Sequence, residues 1–200
     1  MTNSRVPFIV GIGGTPSRSS STEQALTLAL TAAERAGAKV QMFDGQSLAE
    51  LPHYLTEASK KSFEASELVA AVRAADGLII ASPGYHGSIS GIVKNAIDYL
   101  EETAKDERVY LDGVPVGLIA TAYGWQATGS TLATLRSIVH ALRGWPTPLG
   151  AAINSSGGIF KAGQCSDASA LAQLDLVGRQ VCEFARLRLT NPSSTETGAG

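Results

Sequence analysis

Five short segments, Pro7–Ile12, Ala38–Phe43, Gly77–Ser82, Pro115–Thr121 and Pro146–Ile153, constrain this chain more than any other feature, as candidate strands. Gly77–Ser82, short, apolar and bounded by an Asp and a Pro, reads as a parallel strand buried on both faces. Between them the apolar residues recur at helical spacing. Leu26, Ala29, Leu30 and Ala33 form one stripe, and Leu68, Val69, Val72 and Ala75 a second. Val93, Ala96, Ile97 and Leu100 form a third, Leu132, Leu135, Ile138, Val139 and Leu142 a fourth, and Leu171, Leu174, Val177, Val181 and Phe184 a fifth. Such stripes are core faces. Strands alternating with helices predict an α/β fold: a doubly wound, five-stranded parallel sheet with helices on both faces.

The 200 residues, 44% of them hydrophobic, suffice for one such domain, expected over 1–189. The tail from Thr190 to Gly200 is polar and is expected to be disordered. Sixteen basic against eighteen acidic residues give a net charge of −2, and no Lys/Arg cluster points to nucleic acid or an anionic membrane. No charged-then-apolar leader and no run of membrane-spanning length is present, so a cytoplasmic location is expected. Cys165 and Cys182 lack a C-x-x-C spacing and a nearby His, and read as ordinary thiols; no metal site is expected. The stretch Gln46 to Ser62 is irregular: it either rims a site, reaches a neighbouring subunit, or is a solvated connection. Glu101 to Gly113 reads as a surface crossing.

Ligands of open α/β sheets bind beyond the carboxyl ends of the strands, so the segments that follow the strands matter most. After the first strand comes Gly13-Gly14-Thr15-Pro16-Ser17-Arg18-Ser19-Ser20-Ser21-Thr22. Hydroxyls and one arginine crowd a helix start, where unpaired N–H groups and the dipole favour a phosphate monoester. Thr15, Ser17, Arg18, Ser20, Ser21 and Thr22 are the candidate ligand residues. Ser20 with Glu23 also fits a capping box. A P-loop lysine is absent, and the dinucleotide fingerprint fails at Pro16.

After the third strand, Pro83-Gly84-Tyr85-His86-Gly87-Ser88-Ile89-Ser90-Gly91 runs into Ile92 to Leu100. This loop either grips a flat ligand or is a tight turn whose Tyr85 packs. After the fourth strand, Ala122-Tyr123-Gly124-Trp125 continues through Ser130 before helical spacing resumes. Trp125 there is either a loop platform for a ligand or a packing residue.

These segments resemble the NADPH-dependent FMN reductase family of flavodoxin-like proteins, over roughly Pro7 to Ile153. The typical family loop Pro-Glu-Tyr-Asn-Gly-Ser-Ile-Pro-Gly, followed by Leu-Lys-Asn-Ala-Ile-Asp, is matched at Pro83, Tyr85, Gly87, Ser88, Ile89, Gly91 and Lys94 to Asp98, with departures at Gly84, His86 and Ser90. Ser17 to Ser21 resembles the phosphate loop of alkanesulfonate-pathway FMN reductases. The third loop departs from the family's paired glycines.

The resemblance implies sheet order 2-1-3-4-5, with the first and third strands flanking the switch point. It implies FMN held by the three loops, NADPH (or NADH) as hydride donor to the flavin N5, and a homodimer or homotetramer, with Tyr54 and Tyr99 among the apolar groups offered to a partner. The reduced flavin would go to a partner such as a flavin-dependent monooxygenase. Alternatives are an enzyme that retains FMN and reduces quinones, azo dyes or chromate, and a non-enzymatic flavodoxin-like carrier. No nucleophile with an adjacent base and no paired carboxylates are found, so catalysis by positioning is expected. His86 is either a rim histidine or the one titratable group beside the ring.

Overall fold

The computed structural model describes residues 5–190. In chain order the elements are β1 (Phe8–Gly13), α1 (Ser21–Arg35), β2 (Lys39–Phe43), α2 (Gly45–Ala49), α3 (Phe63–Ala74), β3 (Gly77–Tyr85), β4 (Ser88–Ile89), α4 (Gly91–Asp98), β5 (Pro115–Ala122), α5 (Trp125–Ala141), β6 (Trp145–Asn154), β7 (Phe160–Lys161), β8 (Gln164–Cys165) and α6 (Ala168–Thr190). The main sheet runs β2-β1-β3-β5-β6, every neighbouring pair parallel. Counted among themselves, those five parallel strands stand in the expected order 2-1-3-4-5. The sheet gains one short strand, β4, which folds back antiparallel on the end of β3.

Local chemistry sets the helix starts. Ser20, Asp44, Ser62 and Ser90 each accept a backbone N–H from three residues on, at 3.2, 2.8, 3.1 and 3.4 Å. Each such cap satisfies one of the orphan donors of a first turn. α5 differs: Gly124 precedes it with φ 130° and no side-chain cap. The side chains then sort onto two faces. Ala25, Leu26, Ala29 and Ala33 of α1 join Leu174, Val177 and Val181 of α6 against Ile9, Ile79 and Ile119. On the other face Leu68, Val72, Val93, Ile97, Leu135 and Val139 cover Val10, Ile12, Ile80 and Leu118.

Several expectations are corrected. Leu171 and Phe184 are 42% and 37% exposed, because the buried stripe of α6 runs through Ala170, Leu174, Val177, Val181 and Ala185 and leaves them at its margins. α5 begins at Trp125, so the third loop is only Tyr123-Gly124; the Gln, Thr, Gly and Ser that read as loop are the first turns of a helix whose packing overrides weak propensity. The crossing from Glu101 to Gly113 anchors itself through fully buried Leu111 and nearly buried Thr103. Tyr99 is 3% exposed, its hydroxyl donating 2.7 Å to the Pro52 carbonyl and its ring lying edge-on to Tyr54, so it offers nothing to a partner subunit. Thr190 ends α6, and residues 191–200 of the expected tail lie outside the described residues.

Candidate functional site

β1 pairs with β3 up to Gly13 and Ala81, and β3 pairs with β5 up to Pro83 and Thr121. This register brings the three loops to one edge. The first loop leaves β1 at Gly13 and enters α1 through Ser20. Ser17 and Arg18 are exposed, while Thr15, Ser20 and Ser21 are half-buried. Ser20 Oγ accepts the Glu23 N–H at 3.2 Å, which leaves its own proton free to donate. The Ser21 and Thr22 amides, at the first two helical positions, have no carbonyl to bond within the helix. Thr15 Oγ1 donates to the Ser17 carbonyl at 3.3 Å. Thr22 is turned inward: it is 2% exposed, and its hydroxyl lies 2.6 Å from that of Thr121 at the end of β5. Its side chain therefore braces the site, and only its backbone faces the helix end.

The second loop is a hairpin. β3 continues through buried Pro83 and half-buried Gly84 to Tyr85, Gly84 pairs with Ile89 and Tyr85 with Ser88. His86 and Gly87 make the turn with φ of 50° and 84°, the two positive values that a type I′ turn requires. Gly84 has no room for a side chain, since a Cβ there would sit 2.6 Å from Thr131 Oγ1 and 3.2 Å from the Ala122 Cβ. The Glu of the family pattern would not fit here beside α5 as it stands. Beneath the hairpin the Ser82 hydroxyl accepts the Ser90 N–H at 3.0 Å and donates to the Pro83 carbonyl at 2.9 Å.

The third segment contributes exposed aromatic surface. Ala122 is 8% exposed, whereas Tyr85, Tyr123 and Trp125 are 52%, 83% and 67% exposed. Polar ends on apolar rings suit a wet ligand platform. Gly124 N–H donates to Asn154 Oδ1 at 3.2 Å, and the same oxygen takes the Ser156 N–H at 3.1 Å.

Four amide side chains hold these loops and the stretch after α2. Gln24 Nε2 donates to the Ser19 carbonyl at 2.7 Å while its Oε1 accepts the Gly163 N–H at 3.0 Å. Gln46 donates to the Pro16 carbonyl. Asn95 accepts the Tyr54 N–H at 3.0 Å and donates to the Pro52 carbonyl at 2.9 Å, pinning the stretch after α2. Asn154 organises the turn before α5. An amide side chain that bridges residues far apart in sequence leaves no periodic signal, although Asn95 sits inside the matched family motif. Arg18 is the basic residue of the first loop, and no cluster of three metal-ligating side chains occurs among the described residues.

The family model described as NADPH-dependent FMN reductase matches residues 7–157. An NADPH azoreductase of Bacillus sp. (strain OY1-2) is 37% identical over 87 residues, 41% of this chain and 46% of that protein. An FMN-dependent NADPH-azoreductase of Staphylococcus haemolyticus (strain JCSC1435) is 40% identical over 85 residues, 42% of each chain. The match thus spans less than half the length of these curated relatives. Among solved structures, FerB, a flavoenzyme NAD(P)H:(acceptor) oxidoreductase from Paracoccus denitrificans, superposes with TM-score 0.71 at 18% identity, over 91% of this chain and 98% of that one. An apo NADH:FMN oxidoreductase, EMOB, superposes with TM-score 0.66 at 25% identity, over 95% and 94%. A WrbA-like flavodoxin from Agrobacterium tumefaciens gives 0.61 at 20% identity, over 90% and 98%.

Proposed function

Because the chain belongs to the NADPH-dependent FMN reductase family, we propose that it is an NAD(P)H-dependent flavin oxidoreductase whose three loops hold FMN. The observation that carries this reading is the joining of a phosphate-type helix start to an exposed aromatic surface at one end of the sheet. Arg18, the hydroxyls of Thr15, Ser17, Ser20 and Ser21, and the Ser21 and Thr22 amides are the donors for the phosphate. Pro83 to Ser88, with Gly84, Tyr85, His86 and Gly87 between them, and Ala122, Tyr123, Gly124 and Trp125 flank the ring. FMN, when bound, supplies the redox chemistry of accepting a hydride from NADPH. The chain's own residues would bind and orient it: the Pro83–Ser88 hairpin and the exposed Tyr85, Tyr123 and Trp125 would hold the ring.

A second reading concerns the acceptor. Relatives named as azoreductases favour retained FMN and transfer to an azo compound over release of reduced flavin to a partner monooxygenase or other acceptor. Membership of the family supports assembly as a homodimer or homotetramer. Two free thiols fit a reducing, cytoplasmic compartment, and no helix among the described residues is long and apolar enough to cross a membrane.

Steady-state NADPH oxidation by the purified protein, alone, with added FMN and with added azo dye, tests the proposal. Saturable turnover that rises with free FMN supports flavin reduction, and turnover that needs only the dye and bound FMN supports the azo reading. No pyridine-nucleotide oxidation under any of these conditions leaves a non-enzymatic carrier and overturns both.

A further inference from the structure

We propose that Gln24 and Gln46 are positioning residues for the FMN phosphate, acting through the carbonyls of the first loop and touching no ligand themselves; this rests on the FMN reading above. A phosphate site needs N–H groups aimed inward and carbonyl oxygens turned away, since a carbonyl facing an anion repels it. In a planar trans peptide the C=O and the following N–H point in opposite directions. Capture of a carbonyl from outside the loop therefore decides where the next amide points.

The two glutamines do this at two peptides. Gln24 donates 2.7 Å to the Ser19 carbonyl, which turns the Ser20 N–H the other way. Gln46 donates to the Pro16 carbonyl, which does the same for the Ser17 N–H. Neither the Ser17 nor the Ser20 N–H has an acceptor among the described residues, as donors kept for a ligand require. Ser19 has φ 56°, a left-handed conformation that a non-glycine residue holds only when neighbours enforce it. The Gln24 bond is such a neighbour.

The bracing is fixed at its far side as well. The amide of Gln24 is oriented by both of its contacts, because Oε1 accepts the Gly163 N–H at 3.0 Å. Gly163 lies in the turn between β7 and β8, and that hairpin is anchored by Phe160, 8% exposed in the core with Ile9, Ala25 and Ala81. Gln46 stands on α2, whose first residue abuts the Thr15 backbone so closely that a Cβ on Gly45 would overlap it. The loop is thus held between two separate parts of the fold.

The test is the dissociation constant for FMN and for riboflavin, read by flavin fluorescence quenching on the full-length apoprotein, for wild type, Gln24→Met, Gln46→Met and the double variant. Methionine keeps the length and removes the hydrogen bonds. Each single variant is expected to weaken FMN about three- to tenfold, the range for one hydrogen bond, and riboflavin by less than about twofold. The double variant is expected to bring the two affinities toward each other. Equal weakening of both ligands, or unchanged FMN affinity, overturns the proposal while leaving the FMN reading intact. Wild type that itself does not distinguish FMN from riboflavin overturns the phosphate assignment and this proposal with it. Gln46 is exposed, so its variant folds and decides the matter even if the Gln24 change disturbs α1.

Discussion

The hydroxyls of Thr22 and Thr121, ninety-nine positions apart, meet at 2.6 Å in a buried pair that joins the start of α1 to the end of β5. Thr22 is 2% and Thr121 2% exposed, so neither hydroxyl has water as an alternative partner. Thr22→Val alone leaves the Thr121 hydroxyl unsatisfied and is expected to cost about 1–3 kcal/mol in urea unfolding. The double change to Val removes both polar groups and should cost less than the sum of the singles. Additive effects would show that the pair does not act as a unit.

Arg18→Ala should weaken FMN by about 1.5–3 kcal/mol, the range for a hydrogen bond to a charged group. Riboflavin, which lacks the phosphate, should bind the variant as it binds wild type. Titration of both flavins at fixed ionic strength measures the difference, and equal losses would remove Arg18 from the phosphate site.

A Cβ on Gly84 would lie 2.6 Å from the Oγ1 of Thr131, which is fully buried. Gly84→Ala is therefore expected to destabilise by about 1–3 kcal/mol through overpacking. Pairing it with Thr131→Ala should recover part of the loss, as thermal unfolding of the four proteins in the cycle would reveal.

His86 holds φ 50° in the hairpin turn, which Asn tolerates and a β-branched residue does not. His86→Asn should change stability by less than about 0.5 kcal/mol, and His86→Val should lose about 1–2 kcal/mol of stability to backbone strain. Urea unfolding of both variants beside wild type measures the two changes.

Burial pushes the Cys182 thiol upward in pKa, with Arg186 opposing and Glu183 adding to the shift. A raised folded pKa means that the neutral form is favoured on folding. The associated stability is full below the unfolded thiol value of about 8.5 and is lost as pH rises above it. Unfolding midpoints between about pH 8 and 9.5 should fall more for wild type than for Cys182→Ala. That window lies below the titration of the tyrosines, whose shifts at Tyr54, Tyr99 and Tyr110 are also upward. A thiol reagent at neutral pH should label the half-buried Cys165 and spare Cys182.

The sequence alone determined the inner strands of the sheet, because burial on both faces writes β1, β3 and β5 as apolar runs, and each helix as a stripe; β2, at the edge and only partly buried, alternates Lys39 and Gln41 with apolar residues. Both signals are local and survive in one dimension. It also determined where a ligand would be sought, since Ser17 to Thr22 and Pro83 to Ser88 carry their chemistry within a few consecutive residues. Which hydroxyls remain free was decided by the tertiary structure. Thr22 reads like its neighbours in the loop, yet helical geometry turns it onto Thr121, a residue with no sequence relation to it. At Gly84, where the family pattern has Glu, a side chain would meet Thr131, which comes from another helix. Gln24 reaches Gly163 across 139 positions. Such contacts depend on distances that exist only once the layers have packed, and no spacing along the chain encodes them.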